Sequence, residues 1–118
     1  MKTDPIEHVC EGVASSVSQV RMVFHSSLAV TEILNRFWYL QDNLFRLLEV
    51  MTDHPDETME VLERHPTLLA DVVDVLERSS RFASLRGIAA VREAGESINS
   101  SLLEIQGLRH SRAMTAAV

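Results

Sequence analysis

Five histidines and one cysteine are the side chains of this 118-residue chain best suited to metal binding or nucleophilic chemistry. Two histidines have a glutamate three residues later, in the pairs His8 with Glu11 and His54 with Glu57. Di-iron helical proteins need Glu-x-x-His motifs on facing helices instead, and no histidine here follows a glutamate at that spacing. Each pair is isolated, and His54 precedes a proline that can start a helix. The histidines therefore predict no metal site.

Cys10 lies within an apolar helical pattern, where a small thiol packs well. Burial raises the pKa of such a thiol and makes it inert, so we interpret Cys10 as structural. The alternative is a disulfide between two copies of the chain at a dimer seam. The four glycines are scattered singly and form no phosphate-binding loop. We expect no catalytic residue, no cofactor and no enzymatic activity.

Charged residues are concentrated in two further segments. The acids between residues 53 and 63 lack the glycine and the alternating ligands of a calcium-binding EF-hand loop, so they predict a solvated helix face. A short arginine stripe follows them, and the simplest interpretation is internal pairing with these acids. The acids are Asp53, Asp56, Glu57, Glu60 and Glu63, and the arginines are Arg78, Arg81, Arg86 and Arg92.

Composition indicates an ordinary folded domain, with 46% apolar and 24% charged residues. We expect one helical domain over residues 1–109 and a flexible C-terminal tail over residues 110–118. The net charge of −6 argues against nucleic acid as the ligand. No signal peptide or apolar run of about 18 residues is present, and one cysteine suits a reducing compartment. These features predict a cytoplasmic protein that does not contact the membrane.

The charge is unevenly distributed along the chain. Residues 1–77 hold 5 Lys/Arg and 14 Asp/Glu, giving 5 − 14 = −9, whereas residues 78–118 hold 6 and 3, giving 6 − 3 = +3. One interpretation is a fold whose two halves attract each other. The other is an acidic surface that speeds encounter with a basic partner.

The first helix is predicted over residues 5–25. Asp4 can cap it, Pro5 suits the first helical position, and Glu7 supplies the acid of a capping box. Its apolar residues alternate in steps of four and three, the 3.5-residue period of a coiled-coil seam. They are Ile6, Cys10, Val13, Val17, Val20 and Phe24.

A second helix, over about 28–52, repeats this rhythm out of phase with the first. A turn near residues 25–30 resolves the conflict, and Ser26 and Ser27 are suitable caps. Because no glycine or proline occurs from Val13 to His54, one bent helix is the alternative. The residues of this second seam are Ile33, Phe37, Leu40, Leu44, Leu47 and Met51.

Two shorter helices are predicted over about 55–64 and 66–78, and a longer one from 82 or 85 to 108. Ser79–Ser80 or Ser84 marks the junction, Gly95 permits close helix approach, and Gly107 ends the last helix. A third seam comprises Ile88, Val91, Ile98, Leu102 and Ile105. With no strand pattern, the predicted fold class is all-α: a four- to five-helix bundle with coiled-coil-like long helices that forms a homodimer.

The second helix also carries a second apolar stripe. A helix with two apolar stripes is either central or in contact with something beyond its own chain. Tryptophan is favoured as an anchor in interfaces, and for Trp38 and Phe45 core and intermolecular contact are equally compatible with the sequence. We predict the stripe as the partner-binding or dimer interface; it consists of Leu34, Trp38, Phe45 and Leu48.

Short length, acidity, helical pattern and absence of catalytic residues make the chain resemble the QslA-like antiactivators. These small helical bacterial proteins dimerise and block LuxR-type quorum-sensing transcription factors. The resemblance implies a homodimer whose partner is a transcription regulator. It covers size and helical content and transfers no binding residue by position.

These features predict a non-catalytic regulator that sequesters or inhibits a partner protein, with a quorum-sensing antiactivator as the specific example. The alternative is a structural or assembly subunit, or a chaperone-like adaptor, of a larger complex. A helix-turn-helix DNA-binding arrangement of the short helices fits poorly, because both are acidic.

Overall fold

The computed structural model describes residues 4–116 and is all-helical, as the sequence predicts. Its elements are α1 (Pro5–Val23), α2 (Val30–Asp53), α3 (Pro55–Glu63), α4 (Leu68–Arg86) and α5 (Ala89–Ala116). Residues 4–116 contain no strand. None of the helices in this range is long and apolar enough to cross a membrane.

Helix α1 begins where the sequence predicts. The Asp4 carboxylate accepts a hydrogen bond from the Ile6 backbone N–H at 2.9 Å, and Pro5 occupies the first turn. The predicted capping-box role of Glu7 is wrong, because its carboxylate reaches across to His65, 2.6 Å away in the turn before α4. The acid at this position therefore ties two helices together.

Residues 24–29 separate α1 from α2, so the segment 5–52 forms two helices and not one bent helix. The predicted serine caps are wrong. The residue preceding α2 is Ala29, which makes no side-chain capping bond, and Ser26 and Ser27 are exposed in the turn. Helix α2 ends at Asp53, and Pro55 starts α3 as predicted.

The predicted ends of the last two helices need correction. Helix α4 continues through the serines to Arg86, because Ser79 is buried and its hydroxyl donates to the Val75 carbonyl of the preceding turn. It ends at Gly87, whose φ of 66° is the left-handed conformation that glycine adopts readily.

Gly107 does not end α5, which continues to Ala116. The helix accommodates this exposed glycine at a modest cost in helical propensity. The predicted flexible tail therefore overlaps the final turns of α5 from residue 110 to 116, and residues 117–118 lie outside the described residues.

Helix α2 packs against α1, α3 and α5, while α4 packs against α1 and α5. Arg112 near the end of α5 pairs with Asp56 just beyond α2, so these two helices run in the same direction. Helices α1 and α4 are parallel to each other, because Glu7 near the start of α1 contacts His65 just before α4, and Phe24 after α1 packs edge-on against Phe82 near the end of α4. They run opposite to α2 and α5, to which short turns connect them.

The three sequence seams supply most of the core. The α2 seam is the most completely enclosed, with Phe37, Leu40, Leu44, Leu47 and Met51 fully buried. Two seam residues at helix ends, Phe24 and Ile88, are partly buried against the core. Burying each large side chain contributes roughly 1.5–3 kcal/mol before entropy is counted, so the α2 seam makes a large contribution to stability. The other buried seam residues are Ile6, Cys10, Val13, Val17, Val20, Ile33, Val91, Ile98, Leu102 and Ile105.

A glycine allows α1 and α2 to approach closely. A Cβ atom placed on Gly12 would lie 2.7 Å from Asn43 Oδ1, closer than real Cβ contacts. Asn43 is buried, and its amide donates to the Tyr39 carbonyl at 2.9 Å, which restrains the side chain. Gly12 is therefore a packing residue, although glycine lowers helical propensity.

We predict opposite effects of alanine at two helical glycines. Gly12→Ala lowers the free energy of unfolding by about 1–3 kcal/mol, because the new methyl group collides with Asn43. Gly107→Ala, which meets no atom within 4 Å, raises it by about 1 kcal/mol through helical propensity. Urea denaturation measures both. Equal stabilisation by both substitutions would contradict the close contact, and adding Asn43→Ala to Gly12→Ala should recover part of the loss.

Candidate protein-binding surface on helix α2

The second apolar stripe of α2 lies at the protein surface. Trp38 is 47% exposed and Phe45 46% exposed, so neither side chain belongs to the core of the single chain. Leu34 and Leu48, at the two ends, are partly buried and pack against the core. These four residues form what we call the α2 stripe. The two leucines of the stripe contact the core, and the two aromatic rings between them are exposed to solvent.

The spacing of the α2 stripe follows from helical geometry. Steps of four, seven and three residues return to the same side of a helix, and Leu34 to Leu48 spans about 21 Å at 1.5 Å per residue. The adjacent face of α2, about 100° round the helix, is fixed by its buried seam. The aromatic rings are therefore presented on a rigid element of about four turns.

Two carboxylates adjoin the aromatic rings. On a helix, side chains three and four residues apart are neighbours. Asp42 is such a neighbour of both Trp38 and Phe45, and Glu49 is a neighbour of Phe45; both are exposed. No lysine or arginine lies three or four residues from either ring. Arg46 lies four residues beyond Asp42 and three before Glu49, so it neighbours both carboxylates, although it forms no ion pair with either. The two acids and one arginine leave the surroundings of the rings on α2 acidic by one charge.

A second apolar depression lies between α4 and α5 and was not predicted from the sequence. This α4–α5 groove has a volume of about 480 Å³ and is lined by Val73, Leu76, Val91, Leu102 and Gly95, with Glu77, Arg92 and Glu96 among its polar residues. A Cβ on Gly95 would meet no atom within 4 Å, so the two helices do not close over this glycine. The broad apolar face of α4 was the available signal.

The arginine stripe does not pair with the acids of residues 53–63, and this prediction is wrong for the described residues. Arg78 pairs with Asp74 at 3.7 Å one turn earlier in α4, and Arg86 lies over the Phe82 ring at 5.5 Å. Within the acidic segment, Asp56 pairs with Arg112. The arginine stripe thus makes contacts within α4, and Arg112, outside the stripe, is the residue of the C-terminal half that pairs with the acidic segment among the described residues.

The N-terminal end of α1 holds a partly buried polar cluster. Glu7 Oε1 lies 2.6 Å from His65 Nε2, and Glu7 Oε2 is buried with Arg64 Nη2 at 3.5 Å as its counter-charge. The residues are 58 positions apart, so no local pattern could reveal the contact. The cluster links α1 to the turn before α4, and we interpret it as structural.

Cys10 lies one turn beyond Glu7 and is fully buried. Burial, and then the negative charge of Glu7, raise the pKa of the Cys10 thiol to about 11. The enclosure of the sulfur within one chain argues against the alternative of a disulfide between two copies. Of the two histidine–glutamate pairs, His54 Nδ1 lies 3.2 Å from Glu57 Oε2. Residues 4–116 contain no group of three or more His, Cys, Asp or Glu side chains that could hold an ion.

Comparison with protein-family models, with curated proteins and with solved structures finds no match to this chain.

We predict that Cys10 does not react with a thiol reagent in the folded protein. At pH 8 a thiol with a pKa near 11 is about one part in a thousand thiolate, and the sulfur is enclosed. Reaction with Ellman's reagent should proceed only after addition of denaturant, yielding one thiol per chain. Rapid reaction of the native protein at pH 8 would show that α1 does not pack as described.

Proposed function

We propose that this protein is a non-catalytic regulator that sequesters or inhibits another protein through the α2 stripe. The observation that carries the proposal is the presence of two large aromatic side chains, each nearly half exposed, on a helix whose adjacent face is buried in the core. Exposed tryptophan and phenylalanine on a rigid element are typical of interface anchors.

The energetics support a specific partner. Tryptophan and phenylalanine bury about 150–250 Å² each, so covering the exposed half of each ring contributes roughly 2–3 kcal/mol. Two such anchors give about 4–6 kcal/mol together, which matches only the lower end of the cost of association, about 4–15 kcal/mol. Useful affinity therefore requires a partner that also contacts the flanking residues along the helix.

The resemblance to QslA-like antiactivators makes a LuxR-type quorum-sensing regulator the first partner to test. Inhibition of such a transcription factor requires no catalytic residue and no contact with DNA by the inhibitor. It requires a surface that occupies a binding site of the regulator or changes the conformation of the regulator.

The finer architecture that we propose is a four- to five-helix bundle with coiled-coil-like long helices that forms a homodimer. The three seams that suggested a dimer are occupied within one chain, so a second copy must use another apolar surface. The α4–α5 groove, open at Gly95, offers one.

A structural subunit or chaperone-like adaptor is the second candidate function. The observation that favours it is the coexistence of two separate apolar surfaces, the α2 stripe and the α4–α5 groove. An adaptor that joins two proteins needs two such surfaces, and it should lose solubility when purified without its complex. A regulator should be stable alone.

The dimer proposal predicts that filling the groove prevents association. Gly95→Leu places a side chain where no atom of the chain lies within 4 Å, so it should fold and block a second copy. Sedimentation velocity at micromolar concentration should show a dimer for the unmodified chain and a monomer for the variant. Gly107→Leu, on the exposed side of α5, is the matched control. A monomeric unmodified chain contradicts the dimer, and a dimeric Gly95→Leu variant contradicts the groove.

Partner binding should depend on the two aromatic rings. Trp38→Ala combined with Phe45→Ala should weaken binding to a purified LuxR-type regulator by at least about tenfold, since interface anchors commonly contribute 2 kcal/mol or more. Leu85→Ala, at a leucine that is 86% exposed on α4, is the control and should bind normally. Isothermal titration measures the affinities and circular dichroism verifies folding. A folded double variant with full affinity would remove the α2 stripe as the binding surface.

A further inference from the structure

We infer that the occupant of the α2 stripe is a basic amphipathic helix of a partner protein. This inference rests on the proposed function and specifies the chemistry of the partner. Its basis is the juxtaposition of the exposed aromatic rings of Trp38 and Phe45 with the carboxylates of Asp42 and Glu49 on the same exposed side of α2.

The shape of the surface suits a helix. The stripe is straight and about 21 Å long. Its exposed aromatic rings lie between two leucines that are partly buried against the core. A facing helix contacts such a surface with side chains at three- and four-residue spacing. About four turns of the partner helix match the length of the stripe.

The charge of the surface favours a partner segment of positive charge. Asp42 and Glu49 each lie four residues beyond an aromatic ring and are exposed, and the nearest cation on α2 is Arg46, a helical neighbour of both carboxylates, so the net local charge is one negative. None of the ion pairs among residues 4–116 involves these two carboxylates. They are therefore available to lysine or arginine side chains at the rim of an apolar contact, where complementary charge increases the association rate and rejects wrong partners.

The same charges disfavour a second copy at this surface. In a symmetric dimer both partners contribute the same patch, so stripe-to-stripe contact would bring two copies of Asp42 and two of Glu49 into one interface. Each chain also carries a net charge of −6. Like charges so placed oppose association, and the occupant of the stripe is consequently a different, basic protein segment.

The test uses two designed helical peptides with identical leucine spacing, one with lysine and the other with glutamate at the polar positions. Each is fluorescently labelled and titrated with the full chain by anisotropy, and emission of Trp38, the single tryptophan, reports contact at the stripe. The lysine peptide should bind at least about tenfold more tightly than the glutamate peptide, with affinity decreasing as salt is added, and it should shift the Trp38 emission.

Charge reversal locates the effect. Asp42→Lys with Glu49→Lys should abolish or reverse the preference between the peptides. Glu11→Lys with Glu32→Lys changes the net charge equally at two other exposed positions and should preserve the preference. Phe45→Ala retains the Trp38 reporter and should weaken binding of the lysine peptide. If both charge-reversal pairs changed the preference equally, the preference would depend on the overall charge of the chain and not on the α2 stripe, and the inference would be overturned.

Two further outcomes also overturn it. Equal binding of the two peptides refutes the charge selection while leaving the aromatic anchor, and thus the proposed function, intact. A dimer in sedimentation velocity that dissociates in the Phe45→Ala variant would assign the stripe to a second copy. The proposed function fails by a different result, the full retention of a protein partner by the Trp38→Ala, Phe45→Ala variant.

Discussion

Burial of the α2 seam is the constraint on which the rest of the structure depends. Phe37, Leu44 and Leu47 have no exposed surface, and they lie on the face of α2 that is packed against the neighbouring helices. Successive residues of a helix point about 100° apart. Rotating α2 by that angle to bring Trp38 into the core would turn Phe37 out of it, so the buried seam holds the adjacent stripe at the surface.

The contact between α1 and α2 fixes this rotation. Gly12 allows α1 to reach Asn43, and Asn43 is in turn held by the carbonyl of Tyr39. On the same side, Arg36 hydrogen-bonds to Gln19 of α1. Polar contacts thus specify which side of α2 faces α1, and the apolar seam supplies the energy. The exposed rings follow as a geometric consequence, and they are the surface on which the proposed binding function depends.

The sequence was sufficient for the features that depend on local periodicity. The four-three rhythm of Val13, Val17 and Val20 predicted buried positions because a helix repeats its environment at that spacing. It was insufficient where three-dimensional context decides: Ser79 looked like a helix break but lies inside α4, and Gly107 looked like a stop but lies within α5. Serine and glycine are compatible with helix interiors when packing supports the helix.

Long-range features were likewise beyond the sequence pattern. The pairing of Glu7 with His65 joins residues 58 positions apart, and the α4–α5 groove is lined by residues of two helices that meet only in the fold. For the candidate site the sequence identified the four residues of the α2 stripe, but it could not decide between core and surface for Trp38 and Phe45. That decision needed the position of α5 and α1 around α2, which only the assembled fold provides.

Collisional quenching of Trp38 fluorescence is the most direct measurement of the central claim. The side chain is the single tryptophan of the chain and is 47% exposed, so acrylamide should quench it efficiently in the dilute, folded protein, with an emission maximum close to that of a hydrated indole. Weak quenching and blue-shifted emission under the same conditions would show that Trp38 is enclosed, and would contradict the orientation of α2 from which the binding surface is derived.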